Sequence, residues 1–179
     1  RSLGFAYVTT TTRQGKGLTD QTKALDAALA KVAAKSERSE LSKLPVLLLL
    51  TQDQTPDNFV HLLLRHFDGR VLGIVGHAPV AMPGKAGKKK APMWDGPVLV
   101  IAGSDTSRFN REPNMRTEFR PGRAAGAKWA MARQPFADQE FLPWFDVIVP
   151  WIQDVASLRL ADDGSVVAMP QKFAWLGTR

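Results

Sequence analysis

Ser104, His77 and Asp53 or Asp105 are the residue types of a nucleophile, a general base and an orienting acid. Asp53, His77 and Ser104 each follow a segment that reads as a strand. In open α/β sheets such C-terminal strand ends line the ligand crevice. The chemistry that the set would support is acyl transfer. However, Ser104 sits in Ala-Gly-Ser-Asp, without the GxSxG turn that exposes a nucleophilic serine. Asp53, His77 and Ser104 are therefore expected to form a polar rim or ligand crevice, and no residue is assigned to catalysis.

A second set is basic. Lys85, Lys88, Lys89 and Lys90 lie in one Gly/Lys stretch, and Arg108, Arg111, Arg116, Arg120 and Arg123 in the next polar one. Both could neutralise phosphates. Trp94, Phe109 and Phe119 are close enough in sequence to stack on unpaired bases. Asp105, Glu112 and Glu118 interrupt the arginines, as a protein-docking surface would also do. No signature of a standard RNA-binding module accompanies them.

Other chemistry is poorly supported. Gly84 to Lys90 lacks the serine or threonine and the following helix of a phosphate-binding loop. The chain has 3 histidines and no cysteine, which excludes a disulfide scaffold, a thiolate zinc site and a cysteine nucleophile. His61 and His66 are five apart on one helix and so face different ways. We expect no metal and no cofactor.

The elements that must position these residues alternate in period. Phe5 to Thr11 reads as a strand. Thr19 caps a helix from about Asp20 to Lys35, with Leu25, Leu29 and Val32 on its apolar face. Val46 to Leu50 is a strand apolar on both faces. Thr55-Pro56-Asp57 starts a helix reaching Asp68, with Phe59, Val60, Leu63, Leu64 and Phe67 buried and Gly69 behind it. Val71 to Val75 and Pro97 to Ala102 are further buried strands. Crossovers of this length imply parallel neighbours with right-handed connections.

The second half is less regular. Ser104 to Gly126 has almost no apolar periodicity, and Lys128 to Arg133 reads as a strand. Pro143 and Pro150 argue against a long helix in Phe136 to Trp151. Asp163-Gly164 suggests the turn of a hairpin over Ser157 to Met169. Trp144, Trp151, Trp175, Phe136, Phe141, Phe145 and Phe173 read mainly as core. The expectation is a single α/β domain: a mixed, mainly parallel sheet flanked by helices, with an irregular, β-rich C-terminal half.

With 179 residues, 44% of them hydrophobic, the chain is long enough for one real core. No apolar run approaches the ~18 residues of a membrane span. A net charge of +7 suits anionic partners or a basic compartment such as the mitochondrial matrix. Because the first residue is Arg1, we expect a processed, truncated or excised chain.

From Phe5 to Ala102 the order of elements resembles the N-terminal part of FIST domains, a proposed sensory module of signalling proteins and some F-box proteins. The resemblance rests on the alanine-rich helix, Pro45-Val46-Leu47-Leu48-Leu49-Leu50, the helix Asn58 to Phe67, the strand ending Leu72-Gly73-Ile74-Val75-Gly76, and Val98 to Ala102. It implies a ligand-sensing or binding role. His77-Ala78-Pro79-Val80 and the lysine-rich insertion stand where the family has a small polar turn ending in Gly-Glu. The combined reading is a non-catalytic binding or scaffold subunit of a larger, organellar complex, working through protein partners. An RNA-contacting component of a ribonucleoprotein, such as a mitochondrial ribosome, is the alternative. A small-ligand sensor is the third reading.

Overall fold

The computed structural model describes residues 18–50, 59–77, 94–103, 119–134 and 145–170. The expected strand Phe5 to Thr11, the lysine-rich stretch, most of the arginine stretch and the aromatic tail lie outside the described residues. Among these residues four strands form one sheet in the order β1 (Val46–Leu50), β2 (Val71–His77), β3 (Val98–Gly103), β4 (Trp129–Gln134), and each of these pairings is parallel. The chain is therefore α/β with a parallel sheet, and the expected parallel partnership of β1 and β2 is present.

The run of apolar residues in each strand is explained by cover on both faces. One face carries Leu48, Leu50, Val71, Ile74, Val98, Val100 and Trp129. Against it lie helix α1 (Leu18–Lys35), through Leu25 and Leu29, and helix α2 (Phe59–His66), through Val60 and Leu63. A short helical stretch, α3 (119–124), adds Phe119 to the same face. The opposite face carries Leu72, Val75, Leu99 and Ile101 under helix α4 (Phe145–Arg159). Strands that advance in one direction through right-handed crossovers place their helices on one face, as α2 and α3 are placed.

Val60 and Leu63 of α2, and Phe67 just behind it, are buried as expected, with Leu64 half-buried beside them; the Phe59 side chain lies outside the described residues. Leu63→Ala is expected to cost about 2–5 kcal/mol in a denaturant melt, against less than about 0.5 kcal/mol for Lys89→Ala. Comparable losses for the two would be incompatible with this packing. In α1 the buried row is shifted by one residue. Val32 is 38% exposed while Ala33 is buried, because Ala33 continues the four-residue step from Leu25 and Leu29.

Three expectations for the second half are corrected. First, 119–124 is helical, although the sequence around it has little periodicity. Its end is fixed at Gly126, whose φ of 93° few other residues adopt. Gly122 is required for a different reason. A Cβ there would lie 2.0 Å from the Trp129 ring, which fills the space against α3.

Second, Phe145 to Trp151 belongs to the long helix α4, with Pro150 inside it. Pro150 is on the exposed flank, so the carbonyl it leaves without an amide donor can be hydrated. Burial of Ile148, Trp151 and Val155 on the sheet, worth roughly 1.5–3 kcal/mol each, outweighs the roughly 3 kcal/mol proline cost.

Third, the hairpin shrinks to one antiparallel bridge, Leu160 to Val166. Ser157 to Arg159 are already the last turn of α4. The Asp163-Gly164 turn is as expected, with Gly164 at φ 82°. The Asp163 carboxylate accepts the Ser165 amide at 2.8 Å, and bonds from Ser165 hold it below its ordinary pKa.

Candidate functional site

The four described strands run parallel and so give the sheet two unlike edges. At the C-terminal edge the strands end on Leu50, His77, Gly103 and Gln134. The sequence segments 51–58, 78–93, 104–118 and 135–144 all leave the described strands from this edge. His77 is the last residue of β2 and stands in register with Ile101 of β3. Two residues beyond Ile101, Gly103 closes β3 opposite Gln134. Of the expected crevice residues, His77 therefore stands at the C-terminal edge. Asp53, Ser104 and Asp105 lie outside the described residues.

The same holds for Lys85, Lys88, Lys89, Lys90, Arg108, Arg111 and Arg116. Arg120 is exposed on α3. Arg123 is half-buried, and its Nη1 donates to the Ala127 carbonyl at 3.1 Å. That bond spans the turn between α3 and β4.

The N-terminal edge is occupied by polar groups that the sequence reading missed. Lys128 lies one residue before β4, and its side chain is only 4% exposed. Its Nζ donates to the Asp95 carboxylate at 2.8 Å and to the Asp95 carbonyl at 3.1 Å. Arg159, at the end of α4, is also buried. Its Nε donates to the Val167 carbonyl at 2.9 Å. Its Nη1 donates to the Val71 carbonyl at 2.9 Å and to the Leu72 carbonyl.

The Arg159 guanidinium also lies 5.9 Å from the centroid of the Trp94 ring. Burial pushes its pKa down from the ordinary arginine value, and the Asp95 charge opposes that shift. The guanidinium stays protonated throughout the working pH range. These contacts tie the start of β2, the segment before β3, the start of β4 and the end of α4 together. The one available signal was Asp95-Gly96-Pro97 before a strand, which marks a turn without naming its partners.

The histidines serve different ends. His66 meets the Asp26 carboxylate at 2.8 Å and links α2 to α1. The Nε2 of His61 is buried without a hydrogen-bond partner among the described residues. Among the described residues no group of three or more His, Asp or Glu side chains could hold a metal. No helix among them is long and apolar enough to cross a membrane.

No protein-family model matches the chain, and no curated protein matches it. Among solved structures, the crystal structure of the Bacillus cereus carboxylesterase aligns with 77% of this chain at 17% identity and a TM-score of 0.49. The alignment spans 61% of that protein, under two thirds of its length.

Proposed function

We propose that this chain is a non-catalytic binding subunit that presents the C-terminal edge of its parallel sheet to a protein partner. The observation that carries this reading is the charge of the segments leaving that edge. Lys85, Lys88, Lys89, Lys90, Arg108, Arg111 and Arg116 are equalled in number by Asp53, Asp57, Asp105, Glu112, Glu118, Asp138 and Glu140, and Asp105, Glu112 and Glu118 are interleaved with the arginines. A polyanion favours an unbroken positive field, whereas balanced charge suits a protein surface. The other pole of the sheet is closed by the Lys128 and Arg159 contacts. The order α1-β1-α2-β2-β3, which resembles the first part of a FIST domain, supports a binding role in the same way. The basic composition suits an assembly in an organelle such as the mitochondrial matrix.

Copurification from native extract, with and without nuclease, tests this reading. A protein partner should remain bound after nuclease treatment. Replacing Arg108, Arg111 and Arg116 together by alanine should release it. Arg123 is left intact, because its bond to Ala127 spans the turn between α3 and β4. Loss of the complex under nuclease, with RNA affinity falling steeply as salt rises, would establish the RNA-contacting alternative instead.

The position of His77 favours a second reading, a small ligand held over the ends of β2 and β3. That ligand should protect the wild-type domain against heat and fail to protect His77→Ala.

A further inference from the structure

The first strand of the described sheet, β1, has β2 on one side and no described strand on the other. The Val46 amide donates toward β2, to the Arg70 carbonyl at 2.8 Å. Backbone groups alternate along a strand, so the amides of Leu47 and Leu49 point to the side away from β2. Leu49 is also 37% exposed on the face opposite α1 and α2, where α4 lies over β2. A strand of five residues, four of them leucine, with no described partner along one edge is a strong template for strand addition.

We propose that this edge is the docking site of the chain's own N-terminal segment, Phe5 to Thr11, which adds there as a parallel strand. Two observations choose this occupant. The first is the face on which α1 packs. The connection from β1 to β2 carries α2 over one face of the sheet, and α1 packs on that same face, touching α2 through Asp26 and His66. A right-handed crossover through α1 into β1 must therefore start from the side of β1 away from β2. The second is the sequence itself, 17 residues before α1 with Phe-Ala-Tyr-Val-Thr-Thr-Thr at their centre. These are residue types that favour a pleated, half-buried surface. Their alternation separates Phe5 and Tyr7 from Ala6 and Val8. The larger pair suits the face where Leu49 is 37% exposed, and the smaller pair suits the face that α1 covers.

The docked segment would close the edge against other chains, which is how native sheets avoid edge-to-edge association. Residue-resolved amide exchange on the full chain tests this. The Leu47 and Leu49 amides should exchange as slowly as that of Leu48, at any protein concentration. Removing residues 1–12 should raise exchange at Leu47 and Leu49 by at least tenfold while Val75 and Val100 stay protected. Val8→Pro and Thr9→Pro provide a milder pair of variants should the truncation not fold. Neighbouring amides point to opposite sides of a strand, so one of the two prolines removes a donor that faces β1. That variant should raise exchange at Leu47 and Leu49. Fast exchange there in the full chain would overturn the proposal, as would protection that neither proline disturbs. Protection that grows with protein concentration would also overturn it, and would assign the edge to a second copy.

Discussion

Trp151→Ala is expected to cost about 3–5 kcal/mol in a denaturant melt, among the largest losses that truncation of one residue should cause here. The ring is 7% exposed and packs on the sheet over Gly73, where a Cβ would come within 3.0 Å of it. It is the widest side chain that α4 sets against the strands, and Leu47 of β1 lies close beside it. The residues around it cannot close the hole, because α4 is also held at its end by Arg159. Val149→Ala, on the same helix but 41% exposed, should cost well under about 1 kcal/mol. If both variants melted alike, α4 would not be docked through Trp151.

Arg159→Met is expected to cost about 3 kcal/mol, although it replaces a charged side chain by an apolar one. The cost comes from the acceptors left behind. Val71, Leu72 and Val167 would each lose a charge-assisted donor, and the first two bonds are buried. Relief of the guanidinium's own desolvation offsets part of the loss. Arg159→Lys should recover only part of it, since one ammonium cannot reproduce the planar fork that reaches three carbonyls. Urea melts of the three proteins would measure the difference. A methionine variant as stable as wild type would mean that the carbonyls find other donors and that Arg159 is not the clamp described. Asp95→Asn provides a control. It weakens the Lys128 pair and the field at Arg159 while leaving the three carbonyl bonds, so it should cost less than the methionine variant.

The elements of the first half were legible because each carries its own local signal. The β1 leucines, the cap and stripe of α2, and Gly69 at φ 72° are decided within a few residues by burial on both sides, by periodicity and by backbone sterics. The parallel pairing of β1 and β2 followed from the length of the crossover between them. His77 could be placed at a strand end on the same grounds. The second half was less legible because its elements depend on surfaces elsewhere in the chain. Pro150 argues locally against a helix, yet α4 exists because the far face of the sheet offers Leu72, Val75, Leu99 and Ile101 for burial. Residues 119–124 have no convincing stripe, and they fold where the Trp129 ring lies against Gly122.

The basic residues show the same division. The sequence by itself determined a cysteine-free, basic α/β chain, and it marked which segments hold charge. It could not separate lysines and arginines that face solvent from those that hold the fold, because both have the same local surroundings. Only the tertiary structure decided that Lys128 and Arg159 are committed to Asp95 and the start of β2. The physical reason is that a buried cation is tolerated only where acceptors distant in sequence converge on it. That convergence follows from the order of the strands, and no short stretch of sequence encodes it.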